Sequence, residues 1–114
     1  MRKYQLIAVG YTLWLTAVSL TPIKNIYIPV SYADKIVHFF LYFFLLFFWF
    51  KALPPFKNKT SIVLLIIIIW GIVIEFLQEI FIPGRTGDVF DALANTAGSI
   101  TALLLLKYSK IKIF

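Results

Sequence analysis

Residues 61–82 read SIVLLIIIIWGIVIEFLQEIFI, and the first charged side chain in this run is Glu75. About 20 apolar residues in a helix span the hydrocarbon core of a bilayer, which is about 30 Å thick. The run therefore predicts a transmembrane helix that carries Glu75, Gln78 and Glu79 towards its C-terminal end. An ionisable group in a transmembrane helix costs about 2.5–3.5 kcal/mol, so it usually faces the protein interior or a wet cavity. These residues are therefore candidates for function.

Three further apolar runs have a length suited to a membrane helix, at residues 4–20, 36–53 and 89–106. Dipeptides that break helices or favour turns separate the four runs: Thr21-Pro22, Pro54-Pro55 and Pro83-Gly84. Because the connections are short, consecutive helices are expected to run antiparallel. We therefore predict an all-α membrane protein, a four-transmembrane-helix bundle that forms a single domain over residues 1–114.

The composition excludes several classes of protein. Of the 114 residues, 61% are hydrophobic and 14% are charged, and the mean hydropathy of +0.92 is far too apolar for a soluble domain. Without cysteine, the chain has no disulfide framework, thiol nucleophile or thiolate metal site. The formal charge of +6 would suit nucleic acid, but the basic residues flank the apolar runs instead of forming a basic face. We therefore expect no nucleic-acid partner.

The basic residues predict the orientation of the chain, since cytoplasmic loops carry an excess of Lys and Arg. With the N-terminus inside, the cytoplasmic side holds eight of the eleven basic residues: Arg2, Lys3, Lys51, Lys57, Lys59, Lys107, Lys110 and Lys112. The outer side holds Lys24, Lys35 and Arg85. We therefore predict a multi-pass protein of the cell membrane with both termini in the cytoplasm.

The same topology places all five acidic residues at or near the outer end of the bundle: Asp34, Glu75, Glu79, Asp88 and Asp91. An acidic outer end would attract cations or basic groups of a ligand. One alternative concerns the N-terminus, because Arg2 and Lys3 precede an apolar run as in a signal peptide, and residues 17–19 resemble a weak cleavage site. Cleavage would leave three spans; we expect the first helix to be retained.

Asp34 lies four residues before His38, the only histidine of the chain, so the two share one face of a helix. One interpretation is that Asp34 caps the helix and His38 is an interfacial residue. The other is a carboxylate–imidazole pair, in which Asp34 orients His38 for proton transfer or metal binding. The aromatic run at residues 39–50 shows no helical stripe, which indicates lipid contact and packing.

Glu75, Gln78 and Glu79 form one polar stripe on an otherwise apolar helix, because they follow the i, i+3, i+4 spacing. The stripe is either an interhelical clamp or part of a functional site, and Ser or Asn would supply a clamp with less desolvation. In the loop that follows, Arg85 is either an ordinary interfacial arginine or a group that reaches Glu79 or an anionic headgroup.

The fourth apolar run begins with further polar residues. Asp88 is a candidate N-cap, and Asp91 and Asn95 continue one inward-facing stripe. The run also carries a small-xxx-small series: Ala94, Gly98 and Ala102. Such a series lets a helix approach its neighbours closely, so we expect it to bring Asp91 and Asn95 to the polar groups of the second and third helices.

Three elements of the chain, in this order, resemble those of VanZ-like membrane proteins. They are Asp-Lys-x-x-His at residues 34–38, Glu-x-x-Gln at 75–78 before Pro-x-Arg at 83–85, and Asp-x-x-x-Asn-x-x-Gly at 91–98. The resemblance covers nearly the whole chain. That family is linked to resistance to the glycopeptide antibiotic teicoplanin, so the resemblance implies a role in the cell envelope and a set of site positions, but no particular reaction.

Two functions of different classes agree with these residues. The first is binding or shielding of a membrane lipid, a lipid-linked envelope precursor or a lipidated glycopeptide at the acidic outer end. The second is a membrane-embedded enzyme, metal-assisted or not, that acts on an envelope lipid or its headgroup. The chain has no Gly-x-Ser-x-Gly or HExxH motif, so we rank binding first. Four short helices leave little room for transport by alternating access unless the chain forms an oligomer.

The candidate ligand-binding residues are Asp34, Lys35, His38, Glu75, Gln78, Glu79, Arg85, Asp88, Asp91 and Asn95. The candidate catalytic residues are Asp34, His38 and Glu75. The same three residues together with Asp91 are candidate ligands of a divalent metal, because carboxylate and imidazole groups suit Mg²⁺, Ca²⁺, Mn²⁺ or Zn²⁺. We expect six residues from three helices to form one connected cluster: Asp34, His38, Glu75, Arg85, Asp91 and Asn95.

Overall fold

The computed structural model of the chain describes residues 2–20, 31–82 and 89–108, with the side chains of all of these except residues 2 and 31–34. This part of the chain forms four helices and no strand. The helices are α1 (Arg2–Ser19), α2 (Ser31–Ala52), α3 (Lys59–Phe81) and α4 (Val89–Tyr108). The predicted all-α, four-helix architecture is therefore confirmed.

Three of the four helices are long and apolar enough to cross a bilayer, with spans at Lys35–Ala52, Lys59–Phe81 and Val89–Tyr108. Their mean hydropathies are 1.6, 2.7 and 1.6. The helix α1 is not among them, because its 18 residues include Arg2 and Lys3 as well as several polar side chains. Length and composition thus support three of the four predicted crossings.

The helix α2 begins at Ser31, earlier than the predicted start at residue 36. Residues 31–35 contain no proline or glycine, so the helix can extend over them. Asp34 consequently lies inside the first turn of α2 instead of at its N-cap. This extension also puts Lys35 and His38 on the same rigid element.

The helix α2 packs most extensively against α4, and the two run parallel. Lys35 contacts Asp91 and His38 contacts Asn95, so the two helices advance in the same direction. This arrangement agrees with the expected antiparallel order of consecutive helices, because α3 returns the chain across the bundle and helices two apart in the chain then point the same way.

The aromatic run of α2 has one exposed side and one buried side. Phe40 and Phe44 are exposed, but the opposite side of the helix is buried in the hydrophobic core. The core joins α2 to all three other helices and includes Leu15, Tyr42, Leu45, Leu46, Phe47, Val63, Ile67, Ala102 and Leu103. Because α2 is the central helix, side chains on it can meet groups from both α3 and α4.

The helix α1 is attached to α2 by two side-chain hydrogen bonds. The hydroxyl of Tyr11 donates to the carbonyl of Leu41 at 2.6 Å, and Nε1 of Trp49 donates to Oγ1 of Thr12 at 2.8 Å. Contact between α1 and α3 is sparse. Next to Thr12 of α1, an apolar cavity of about 280 Å³ lies mainly between α2 and α3, lined by Thr12, Leu45, Trp49, Leu53, Val63, Ile66, Ile67 and Trp70.

Candidate functional site

One end of the bundle holds polar side chains from three helices. We call this group the polar cluster: Lys35 and His38 of α2, Glu75 of α3, and Asp91 and Asn95 of α4. Each of His38, Glu75 and Asp91 offers one ligand atom, and these three atoms lie within 4.8 Å of one another. The start of α2, the end of α3 and the start of α4 meet here, because α3 runs opposite to the other two helices.

His38 is oriented by Asn95. Its Nδ1 lies 3.0 Å from Oδ1 of the asparagine amide. Because an amide oxygen only accepts hydrogen bonds, this contact places a proton on Nδ1 and directs the lone pair of Nε2 in a neutral ring to the other side. Nε2 faces Oδ2 of Asp91 at 3.7 Å, which is longer than a hydrogen bond. Asn95 therefore orients the imidazole, while the side chain of Asp34, which the sequence suggested for this role, lies outside the described side chains.

Asp91 carries an ion pair on one oxygen and faces the imidazole with the other. Nζ of Lys35 donates to Oδ1 of Asp91 at 2.8 Å. The Asp91 side chain is 4% exposed and that of Lys35 is 24% exposed. A carboxylate buried to this degree needs a nearby positive charge to offset its desolvation, and Lys35 supplies it. The pair also fixes the rotation of the carboxylate, which keeps Oδ2 directed at His38.

Tyr42 lies at the inner edge of the polar cluster and was not expected there. A Cβ on Gly71 would lie 3.1 Å from Cε2 of Tyr42 and 3.3 Å from Nδ2 of Asn95, so the phenol and the amide meet at this glycine. Tyr42 is 2% exposed. Its hydroxyl has no hydrogen-bond partner among the described residues. The sequence feature that could have indicated Tyr42 is its spacing. Tyr42 follows His38 by four residues, on the same face of the helix, and carries the only hydroxyl at residues 39–50.

The three polar residues of α3 take different positions. Glu75 is buried in the polar cluster, at 8% exposure. Gln78 is also buried, and its Nε2 donates to the carbonyl of Ser19 at 2.8 Å, which ties α3 to the end of α1. Glu79 is exposed and does not join the cluster. The stripe is thus divided into one cluster residue, one interhelical clamp and one surface residue.

Three of the predicted site residues are not described by the structure. Arg85 and Asp88 lie outside the described residues, and so does the side chain of Asp34. Of the six residues expected to form one cluster, the structure brings four together: His38, Glu75, Asp91 and Asn95. It adds Lys35 to them through the ion pair with Asp91.

The polar cluster combines an imidazole, two carboxylates, an amide and an ammonium group. Because it contains both signs of charge, it can bind a hydrogen-bonding or zwitterionic group. The imidazole of His38 can act as a hydrogen-bonding group or as a metal ligand. This group of polar side chains lies at one end of an otherwise apolar bundle. The arrangement is suited to a ligand with one polar end and one apolar end.

Comparison with known proteins gives one match. A model of the VanZ/LLP1 family matches residues 2–112, a range that includes every residue of the polar cluster. No curated protein and no solved structure matches the chain. The family's name is associated with teicoplanin resistance. The match covers nearly the whole chain and confirms the resemblance in the sequence, so this chain with its membrane-spanning helices belongs to the VanZ/LLP1 family.

Proposed function

We propose that this protein is a multi-pass protein of the cell membrane that binds and shields the polar headgroup of an envelope amphiphile. The headgroup would occupy the polar cluster on the outer side of the membrane. The ligand would be a membrane lipid, a lipid-linked envelope precursor or a lipidated glycopeptide. These share a polar, hydrogen-bonding head and an apolar chain.

The observation that carries the proposal is the convergence of buried ionisable groups from three helices. Glu75 and Asp91 are 8% and 3% exposed, and both face His38. Structural packing of membrane helices is achieved with small residues and neutral polar groups, so two carboxylates and a histidine at one depth favour a binding role. Lys35 adds a positive charge, which suits a headgroup that carries both donors and acceptors.

The apolar cavity lined by α2, α3 and Thr12 of α1 supports an amphiphilic ligand. Among the lining residues, Trp70 is the nearest to Glu75 along α3. It lies five residues before Glu75, which corresponds to about 7.5 Å along a helix. An alkyl chain in this cavity would therefore lie within reach of a headgroup in the polar cluster. Burial of apolar surface contributes about 25 cal/mol per Å², so the chain would supply much of the affinity.

The proposal is tested by ligand binding to the full chain in lipid nanodiscs. The probes are teicoplanin, its deacylated form and a lipid-linked peptidoglycan precursor. We expect the parent to bind at least one of the two lipid-bearing probes, and the variant Asp91→Asn to bind it at least tenfold more weakly. If teicoplanin binds but its deacylated form and the precursor do not, the ligand is the lipidated glycopeptide. If only the precursor binds, the ligand is the envelope lipid. If neither lipid-bearing probe binds the parent, the proposal is wrong.

A second candidate function is favoured by the orientation of His38. Asn95 holds one ring nitrogen and leaves the other directed at Asp91, which is a suitable arrangement for proton transfer. In this case the protein would be an enzyme that acts on the headgroup of an envelope lipid. Incubation of the parent and the variant His38→Gln with the precursor, followed by mass spectrometry, tests it. A product that forms with the parent and not with the variant is the expected result, and unchanged precursor would exclude the reaction.

A further inference from the structure

Tyr42 carries a buried hydroxyl that the packing of the helices does not use. The residue is 2% exposed, and its hydroxyl has no hydrogen-bond partner in the described part of the chain. Tyr11 shows the usual arrangement, because its hydroxyl donates to the carbonyl of Leu41 at 2.6 Å. Buried polar atoms are seldom left without a partner, and phenylalanine would fill the same space without a buried hydroxyl. The hydroxyl of Tyr42 therefore needs an explanation other than packing.

The contacts of the Tyr42 ring place this hydroxyl at the polar cluster. A Cβ on Gly71 would lie 3.1 Å from Cε2 of Tyr42, and the hydroxyl is attached to the neighbouring ring carbon. The same point lies 3.3 Å from Nδ2 of Asn95, whose Oδ1 contacts His38. Gly71 is one helical turn before Glu75 on α3. The hydroxyl is therefore close to the place where α2, α3 and α4 meet.

Gln78 presents a second buried atom of this kind. It is 4% exposed, and its Nε2 donates to the carbonyl of Ser19, so Oε1 is directed away from that carbonyl. Among the described residues, nothing donates a hydrogen bond to Oε1. Gly71, Glu75 and Gln78 are all buried and share one face of α3. Gly71 and Gln78 are about 10 Å apart along the helix, which a short peptide or a disaccharide can span.

From these contacts we propose that Tyr42 is a further ligand-binding residue, and that the headgroup it contacts carries N–H or O–H donors as well as acceptor oxygens. Oε1 of Gln78 can only accept a hydrogen bond, so its partner must be a donor, whereas a phenol hydroxyl can donate or accept. Amides and sugars offer both kinds of group. A phosphodiester offers acceptors only and would leave Oε1 without a partner. The inference rests on the proposed function, because it concerns the headgroup bound at the polar cluster.

The two buried atoms make the empty site less stable than it could be. Each forgoes the hydrogen bonds that it could make in water, which is unfavourable until a ligand supplies a partner. Both are enclosed by protein atoms, so the headgroup reaches them when neighbouring side chains rotate, a common change on binding. A ligand-binding hydroxyl and a packing hydroxyl therefore differ in sign. Removing the first does not destabilise the empty protein, whereas removing the second does.

The test compares Tyr42→Phe with Tyr11→Phe, using the full chain in phosphatidylcholine nanodiscs. Without a probe, Tyr42→Phe should melt at or above the melting temperature of the parent. Tyr11→Phe is the matched control and should melt a few degrees below the parent, because the bond to Leu41 is lost. The binding probe is teicoplanin or the lipid-linked peptidoglycan precursor, whichever the parent binds. Tyr42→Phe should bind it at least tenfold more weakly, and Tyr11→Phe should bind it as the parent does.

Phosphatidylmethanol tests the class of headgroup, because it is a phosphodiester lipid without an N–H or O–H donor. Added to the nanodiscs in tenfold excess over the probe, it should leave the affinity of the parent for the probe unchanged. Displacement of the probe by this lipid would show that the headgroup needs no donor, and would overturn the proposed ligand class.

Two results would overturn the role of Tyr42. A Tyr42→Phe variant that binds the probe as tightly as the parent would remove the hydroxyl from the site. A Tyr42→Phe variant that melts as low as Tyr11→Phe would show that the hydroxyl is bonded within the protein. The proposed function survives both results as long as Asp91→Asn loses binding. If the parent binds neither probe, the proposed function fails and the inference fails with it.

Discussion

Gly98 of α4 lies directly against the backbone of Phe39 in α2. A Cβ at position 98 would overlap the carbonyl oxygen of Phe39 and lie 2.8 Å from its carbonyl carbon. The obstacle is backbone, which cannot rotate away as a side chain can. This close approach lies next to the contact between His38 and Asn95, so the distance between α2 and α4 decides whether the polar cluster can form.

We predict that Gly98→Ala destabilises the protein and disrupts the polar cluster. Forcing extra volume into a close-packed contact typically costs about 1–3 kcal/mol, and a backbone obstacle places this change at the upper end. The measurement is thermal melting of the detergent-solubilised protein. Gly10→Ala is the matched control, since a Cβ there meets nothing within 4 Å. Equal melting of the two variants would show that α2 and α4 do not pack as described.

The ion pair between Lys35 and Asp91 predicts an asymmetry between two variants. Lys35→Met leaves the carboxylate of Asp91, at 4% exposure, without its ammonium partner. Asp91→Asn leaves an ammonium group at 24% exposure that can reach solvent. Removing one partner of a fully buried pair costs about 3–5 kcal/mol. Because Lys35 is partly exposed, we expect about 2–3 kcal/mol for Lys35→Met and less for Asp91→Asn.

The same melting experiment, in metal-free buffer, checks this asymmetry. The double variant Lys35→Met/Asp91→Asn should be more stable than Lys35→Met alone, because the buried charge is then gone. Lys107→Met is the control, since Lys107 is exposed on the same helix as Asp91 and should change stability by no more than about 0.5 kcal/mol. A smaller effect for Lys35→Met than for Lys107→Met would contradict the role of the pair.

The sequence was sufficient to predict the helices and much of the polar cluster, for physical reasons. Twenty-residue apolar runs and proline-rich breaks have one good solution in a membrane, so the four helices could be anticipated. Buried ionisable residues are so unfavourable in lipid that His38, Glu75 and Asp91 were expected to face one another. The spacing of residues along a helix also indicated that Asp91 and Asn95 share a face.

Other features depend on the packing of α2 against α4 and could not be predicted from spacing within one helix. The parallel register of these helices makes Asn95 the partner of His38. The same register pairs Lys35 with Asp91, whereas the sequence indicated Lys35 as a site residue without showing its partner. The helical period alone also could not show that Gln78 would clamp α1 while Glu79 remained exposed, because that depends on where α1 ends.

The apolar cavity provides a test of the bound alkyl chain. Ile66 lines the cavity and is 58% exposed, so a larger side chain there would fill the cavity without disturbing the core. We predict that Ile66→Trp weakens binding of teicoplanin in nanodiscs at least fivefold and leaves binding of its deacylated form unchanged. Ile69→Trp is the control, because Ile69 is 50% exposed on the same helix and does not line the cavity. Equal binding by the two variants would place the alkyl chain elsewhere.

The predicted orientation can be measured directly because the chain has no cysteine. We predict that Lys57→Cys is protected from a membrane-impermeant maleimide in intact cells and that Arg85→Cys is labelled. The reason is the excess of basic residues on the Lys57 side of the bundle. Both variants should be labelled after the cells are opened, which controls for reactivity. The reverse pattern, or activity of an exclusively extracellular reporter fused at Phe114, would place the polar cluster at the inner leaflet.

Glu75→Gln separates an interhelical clamp from a functional carboxylate. Gln keeps the shape and hydrogen-bonding capacity of Glu75 but removes the ionisable group. Interhelical hydrogen bonds in membranes average about 0.6 kcal/mol, and Gln should retain most of that, so we expect a melting temperature close to that of the parent. We also expect loss of ligand binding and of protection in an envelope-susceptibility assay with a lipidated glycopeptide, because one of the two carboxylates of the cluster is gone.

Two comparisons make the Glu75→Gln result decisive. Glu79→Gln changes the same chemical group one turn away on an exposed surface, and it should leave both stability and protection unchanged. Glu75→Leu is a poorer test, since it removes the polar group altogether and would disturb the neighbouring polar groups as well. A Glu75→Gln variant that melts and protects as the parent does would show that Glu75 only joins helices. The functional part of the polar cluster would then be restricted to Lys35, His38, Asp91 and Asn95.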